Sequence, residues 1–356
     1  MPQGFPVLSV LGEFVVDLIP DLSADAGPEG TAPHYIARPG GNALNVAVAA
    51  GRLGAPVRLL ARLGSGPLAA SLRRHAELSG VGLDGLIAAA EPVSLAVVGL
   101  SPDGSADYGF HVLGAADWQW TDDELAAAYG DAHGILHVGS ISSWTPPGTD
   151  AIARLVARLH EDGGTLISVD PNLRPMLADG PVGASLGNSA SAVRDRLDRL
   201  VTRADVVKVS AEDLAWLEPA TTDLDAAAAA WTARGPELVL ITDGGAPLRV
   251  ARPGRPVRHV PIPRVTVVDT VGAGDSLAAG LLSGLLAAGV TTRAALEAVD
   301  DEQLGAIVDE AALVAALNCT RVGADPPTRA ELDAARAQPR SADLIPAVPT
   351  SRPDVR

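Results

Sequence analysis

Asp269-Thr-Val-Gly-Ala-Gly-Asp275 is the stretch whose reading decides the fold. Before it runs Arg264-Val-Thr-Val-Val268, a β-branched segment of strand length. After it runs Ser276-Leu-Ala-Ala-Gly-Leu-Leu-Ser-Gly-Leu-Leu-Ala-Ala288, whose leucines recur at helical spacing. A glycine turn opening a helix leaves the first backbone N–H groups unpaired at the positive end of the helix dipole, which attracts anions, phosphate above all. Gly272 and Gly274 lack a Cβ, so the chain can approach an anion closely and turn consecutive N–H groups toward one oxygen. Asp275 repels a phosphate unless it has a task there, and taking the proton of an attacking hydroxyl is such a task. Capping the helix is the other local reading of Asp275, and aspartate caps well.

A second glycine turn stands far upstream, in Gly40-Gly-Asn-Ala-Leu-Asn45-Val-Ala-Val-Ala-Ala50. It too opens a helix, with Ala43, Val46, Ala47 and Ala50 on a face of small residues. Asn42 and Asn45 either cap that helix or bind a polyhydroxylated ligand beside the exposed backbone. Further upstream, Asp17 interrupts the apolar run 14–19. A carboxylate there faces a cavity or a partner, because burying it unpaired is very costly; an edge-strand position in solvent is the alternative.

Between the two turns the chain alternates strand and helix. Strand-like runs at 7–11, 57–64, 134–139, 165–170, 206–210 and 238–242 are separated by helical stretches such as 67–80 and 147–162. Such alternation implies parallel strands with helices on both faces, and ligands bind beyond the carboxyl ends of such strands. Asp170, Asn172, Arg174, Ser210, Asp213, Thr242 and Gly244 all fall at those ends. The runs 93–100 and 106–113, joined by Ser-Pro-Asp-Gly-Ser, read as a hairpin that forms a small second sheet with residues 13–38. His111 in that hairpin reads as structural. Residues 224–233 read as a surface helix, 180–191 as a loop, and the Pro-, Ser- and Arg-rich tail 336–356 as disordered, leaving 1–335 as one domain.

Composition narrows the function classes. Of 356 residues 47% are hydrophobic and only 3% aromatic, so the core is built from Ala, Val and Leu. A net charge of −16 argues against nucleic acid and anionic membrane as partners, since both require basic patches. The sole lysine is Lys208 and the sole cysteine Cys319, which excludes an internal disulfide framework. Met-Pro-Gln-Gly-Phe-Pro at the start has no basic segment followed by an apolar run, so a soluble cytoplasmic protein is expected.

With both glycine turns present, in this order, the chain resembles the ribokinase-like (PfkB) carbohydrate kinases over about residues 7–330. The resemblance implies a three-layer α/β/α sandwich with a mostly parallel central sheet and a small β lid from about 13–38 and 93–115. It implies that Asp275 is the general base and that the backbone N–H groups of Gly272, Ala273 and Gly274 form the anion hole. On the sugar it places Asp17, Gly40, Gly41, Asn45 and Asp275. Arg174 either meets a substrate or phosphate oxygen or pairs with Asp170. On the ATP side it places Lys208, Ser210, Thr242, Gly244, Gly272, Gly274 and Asn318. The family's Asn-x-x-Glu magnesium motif reads Ser210-Ala-Glu-Asp213 here, so Asp213, through water, stands as the Mg²⁺ residue with Glu212 as a neighbour. Asp269 would neighbour a monovalent cation, K⁺, and dimerisation through the lid is common among such kinases.

Gly12-Glu-Phe-Val-Val-Asp-Leu-Ile19, Asp170-Pro-Asn-Leu-Arg-Pro175 and Lys208-Val-Ser-Ala-Glu-Asp-Leu214 look most like the fructokinase branch. The expectation is ATP-dependent phosphorylation of a ketohexose, D-fructose first. The alternatives are 2-keto-3-deoxygluconate kinase, whose substrate carboxylate would look to Arg38 and His111, and ribokinase. A nucleoside kinase would have only Tyr108 and Phe110 to stack on. A sugar-binding sensor without catalysis is opposed by the intact Asp275 and its glycines.

Overall fold

Strands that are apolar on both faces build the centre of the molecule. The computed structural model describes residues 5–21, 34–100 and 106–337. The strands are β1 (Val7–Leu11), β2 (Val15–Pro20), β3 (Tyr35–Gly40), β4 (Val57–Leu63), β5 (Leu86–Ala88), β6 (Ser94–Leu100) and β7 (Ala106–His111). They continue with β8 (Gly134–Gly139), β9 (Thr165–Asp170), β10 (Val206–Ser210), β11 (Leu238–Thr242), β12 (Leu248–Ala251) and β13 (Arg258–Val260). Nine of them form one sheet in the order β13-β12-β11-β10-β9-β8-β1-β4-β5, parallel from β11 through β5 and antiparallel at the β12 and β13 edge.

Helices cover both faces of this sheet, as buried parallel strands require. Helix Asn42–Arg52 packs its alanines with helices Ala273–Ala287 and Asp301–Asn318 over one face. The other face is covered by helices that include Asp122–Tyr129, Thr149–Asp162 and Leu224–Thr232. Gly280 lies so close to the Ala311 backbone that a Cβ there would stand 2.8 Å from its Cα, which is why helices Ala273–Ala287 and Asp301–Asn318 can pack closely in one alanine-rich core. The three-layer expectation therefore holds. Among the described residues no helix is long and apolar enough to cross a membrane.

The second sheet has the order β3-β2-β6-β7 and takes in the expected hairpin. Its hairpin turn 101–105, and residues 22–33, lie outside the described residues. Beyond His111 the chain leaves this sheet, and Val112, Ala115 and Trp118 pack with Ile141 and Trp144 against the main body. Three local expectations fail. Arg264–Val268 forms no strand: only Val265 makes a bridge, and Val267 and Val268 stay exposed. Within 180–191 a short helix, Pro181–Ser185, replaces the loop, started by proline at its first position and packed through Gly183 against the Leu177 carbonyl. The expected disorder after Ala335 fails at residues 336 and 337, which belong to helix Arg329–Ala337; the remainder lies outside the described residues.

Two buried carboxyls anchor the small sheet where it leaves the main one. Asp117 Oδ1 accepts the Phe14 N–H at 2.8 Å and its Oδ2 accepts the Ser94 hydroxyl at 2.5 Å, clamping the starts of β2 and β6. Glu13 accepts the N–H and hydroxyl of Ser142. Burial pushes Asp117 up to about 7, and its neighbour Glu13 adds to the rise. Because the folded chain binds this proton more tightly than the unfolded one, folding gains as pH falls through about 7 toward the unfolded carboxyl range. Tm is thus expected to rise between about pH 8 and pH 5, and Asp117→Asn to flatten the upper part of that rise. A Tm falling steadily over the same interval, followed by differential scanning calorimetry, would contradict this.

Candidate active site

The carboxyl ends of β8, β9, β10 and β11 line up, Gly139 beside Asp170 and Ser210 beside Thr242. Above them the two glycine turns bring their helix starts together. Gly41 holds φ 101°, and a Cβ there would stand 2.6 Å from the Glu13 carbonyl. Gly272 holds φ 75° at the start of the Ala273–Ala287 helix.

Neither aspartate nor asparagine caps these helices: no side chain caps either one. Asp275 lies in the first turn of its helix and is 7% exposed. Its Oδ1 accepts Asn42 Nδ2 at 2.7 Å and its Oδ2 accepts Asn45 Nδ2 at 2.8 Å. The carboxylate is therefore fixed in the plane of two amides from the other glycine turn. Burial raises its pKa, with the Asp170 charge adding to the rise, while the Lys208 ammonium and both amides hold it back.

Lys208 reaches from β10 to within 3.0 Å of Asp170 Oδ2, and both side chains are buried. This pairing overturns the reading of Arg174 as the partner of Asp170. Burial alone would lower the Lys208 pKa, but Asp170, Asp213 and Asp275 outweigh it and leave it raised, so the ammonium is charged. A Cβ on Gly274 would stand 2.8 Å from Nζ, which places the ammonium directly beneath the glycine turn. Of the turn's three expected anion donors, Ala273 N–H instead bends back to the Thr270 carbonyl at 3.2 Å.

On the side of the small sheet, Asp17 lies on β2 opposite Arg38 of β3. Burial pushes it up to about 6, the Arg174 charge opposes this and Asp275 reinforces it, so Arg174, Asp17 and Asp275 share one electrostatic neighbourhood. Arg174 itself is exposed and donates to the Leu173 carbonyl at 2.9 Å. Gly40 faces Asp17, and any Cβ there would overlap Asp17 Oδ2. If Asp17 holds the substrate, Gly40→Ala is expected to raise the substrate KM by about tenfold or more through displacement of that carboxylate, with kcat within about threefold and Tm nearly unchanged. Steady-state kinetics with an unchanged substrate KM would show that Asp17 does not hold the substrate.

The opposite flank is built from loops. Thr242 ends β11, followed by Gly244 at φ 51° in the turn 243–246. Asn318, at the end of its helix, donates Nδ2 to the Val271 carbonyl at 2.8 Å while its buried Oδ1 has no partner. Asp269 Oδ1 accepts the Val271 N–H and its Oδ2 the Gly323 N–H, tying both loops together. Val268, Val271 and Val322 leave an exposed apolar rim beside Asn318. Asp213 and Ser210 form a reciprocal helix cap, and Asp213 Oδ1 also accepts the Leu173 N–H, so each of its oxygens is engaged by a backbone N–H. Among the described residues no group of three or more His, Cys, Asp or Glu is gathered to hold a metal ion.

The sequence profile described as pfkB family carbohydrate kinase matches residues 7–331, which takes in both glycine turns and the whole site. The chain belongs to the pfkB family of carbohydrate kinases. It is a phosphotransferase with an alcohol group as acceptor. This pfkB kinase is 33% identical to a fructokinase of Rhizobium leguminosarum bv. trifolii over 294 residues, covering 82% of this chain and 84% of that one. Its fold is similar to a fructokinase from Xylella fastidiosa with bound ATP, with a TM-score of 0.79 at 29% identity over 92% of this chain and 97% of the other. It is also similar to a double-mutant fructokinase from Vibrio cholerae O395 bound to fructose, ADP and potassium ion, with a TM-score of 0.75 at 27% identity, covering 94% and 99%.

Several residues that shape this pfkB site have a different role, or none, in the sequence reading. Asn42 has an open choice there, Asp170 a place at a strand end and Arg174 as a possible partner, and Glu13 and Asp117 no role. A charge flanked by apolar residues, the signal that singles out Asp17, also marks Asp117.

Proposed function

We propose that the protein is an ATP-dependent fructokinase. One observation carries the catalytic part of this reading: a buried carboxylate, Asp275, pinned by Asn42 and Asn45 in the first helical turn directly after the glycine turn. The similarity to fructokinases over most of the chain supports fructose as the sugar. The small sheet acts as the lid, and Asp17 at its inner root accepts a sugar hydroxyl with Arg174 nearby. Asp275 takes the proton of the reacting hydroxyl, and its raised pKa makes it a better acceptor than an ordinary carboxylate. Gly272 and Gly274 N–H groups and the Lys208 ammonium stabilise the charge that develops on the transferring phosphoryl group.

The nucleotide base fits the apolar rim of Val268, Val271 and Val322, with Asn318 Oδ1 turned inward beneath it. Mg²⁺, arriving with the nucleotide, supplies charge neutralisation of its phosphates. Asp213 suits a water-mediated contact with it better than direct ligation, since both of its oxygens hold backbone N–H groups. Asp269, bridging the Val271 and Gly323 turns, fits a K⁺ site, and a potassium ion is bound in the similar Vibrio cholerae enzyme. Ile19 and Ile36, paired across β2 and β3 and both exposed, form the surface on which a second copy would pack.

The test is ADP release from ATP with fructose, ribose and 2-keto-3-deoxygluconate, each with and without Mg²⁺ and K⁺. Fructose is expected to give the highest kcat/KM, with Mg²⁺ required. Turnover of the keto acid and none of fructose would overturn the assignment.

A further inference from the structure

Ser140 and Asn172 are, among the described residues, the two other than glycine that hold positive φ, at 58° and 38°. They follow the ends of neighbouring strands, since Gly139 of β8 lies opposite Asp170 of β9. Side chains persist in this region only where the surroundings impose it, and such residues gather at ligand sites. Here Ser140 stands between Asn172 and the buried Glu13, whose carboxyl also hydrogen-bonds the Ser140 side chain. The buried Ser140 hydroxyl makes a long, forked contact with the Asn172 carbonyl at 3.4 Å and its Oδ1 at 3.5 Å. With Oδ1 turned to Ser140, the half-buried Asn172 has no partner among the described residues for Nδ2.

The position of that amide is informative. Two residues before it, Asp170 holds Lys208 beneath the phosphate turn; two residues after it, Arg174 shares the neighbourhood of Asp17. Asn172 therefore stands between the phosphoryl and lid ends of the site. A polyol needs donors as well as acceptors, and Asp17 and Asp275 only accept. The amides of Asn42 and Asn45 are committed to Asp275, and Arg174 Nη1 is committed to the carbonyls of Leu173 and Asn172. The remaining amide donor at these strand ends is Asn172 Nδ2.

We infer that Asn172 is a specificity residue for the sugar, donating Nδ2 to the oxygen of a ketose hydroxyl while Asp17 accepts from a neighbouring one. This rests on the fructokinase reading for the identity of the sugar and on the positive-φ pair for the donor.

Asn172→Gly separates the amide from the backbone, because glycine adopts φ 38° without strain. If Nδ2 binds sugar, this variant raises the fructose KM by about tenfold or more, leaves the ATP KM and kcat within about threefold, and keeps or raises Tm. Asn172→Asp keeps shape and turn but replaces the donor by an acceptor, and is expected to lose the sugar at least as strongly. A fructose KM within about twofold of wild type in both variants would overturn the inference, and it would leave Asn172 as a backbone device only. If wild type turns over another sugar of the panel and not fructose, the fructokinase reading fails and the same comparison is made with that sugar, so the two failures are told apart.

Discussion

Asp275→Asn is expected to lower kcat by on the order of 10³-fold while sugar affinity stays within about threefold. The substitution removes the proton acceptor and little else. In the wild type both oxygens of Asp275 accept amide N–H groups, at 2.7 and 2.8 Å. An asparagine can satisfy one of these donors and must turn its own NH₂ toward the other, at a cost of about 1 kcal/mol for one lost hydrogen bond. Removing a buried charge works in the opposite direction, because burial is the main reason the Asp275 pKa is raised. The two effects nearly offset, so Tm should move little and the loss in rate is chemical. The same raised pKa gives wild-type kcat/KM a falling limb on acidification, where the protonated carboxyl no longer accepts a proton. Coupled kinetics together with calorimetric titration of fructose checks this. A kcat within tenfold of wild type would remove Asp275 as the base.

How far the sequence reaches is clear from particular residues. The parallel strands were legible because residues buried on both faces form apolar runs that local neighbours cannot imitate, as in Val206–Ser210 and Leu238–Thr242. Arg264–Val268 has the same β-branched character but pairs only at the single bridge residue Val265, and propensity without continuous pairing does not make a strand. The two glycine turns were legible as helix starts, yet the choice between cap and ligand for Asn42, Asn45 and Asp275 was not. That choice is settled by hydrogen bonds spanning more than two hundred residues, from Asn42 and Asn45 to Asp275. Arg174 was assigned two partners by proximity in sequence and function, but strand register brings Lys208, not Arg174, to Asp170. The clamp on the small sheet was invisible for the same reason: Asp117 meets Phe14 and Ser94 only after three separate segments have folded together.

Lys208→Met is expected to destabilise the protein by about 3–5 kcal/mol, and adding Asp170→Asn to restore most of that loss without restoring activity. Asp170 is fully buried, and Lys208 Nζ lies 3.0 Å from its Oδ2, so removing the ammonium alone strands a carboxylate whose Oδ1 already has no partner. The asparagine in the double variant removes that charge and keeps an oxygen for Asn42, whose Nδ2 lies 3.5 Å from Asp170 Oδ2. Urea unfolding of the three proteins measures the coupling; a double variant as unstable as the single one would show that the ion pair is not the cause. Activity follows a different account. Both variants lack the cation under the phosphate turn, and loss of one such charge-stabilising group lowers kcat by about 10²–10³-fold. Lys208→Arg is not expected to rescue it, although every other basic side chain apart from histidine is arginine. Nζ sits where even a Cβ on Gly274 would come within 2.8 Å, and a planar guanidinium cannot occupy that space without pushing the glycine turn off the position that Gly272 and Gly274 need to meet phosphate.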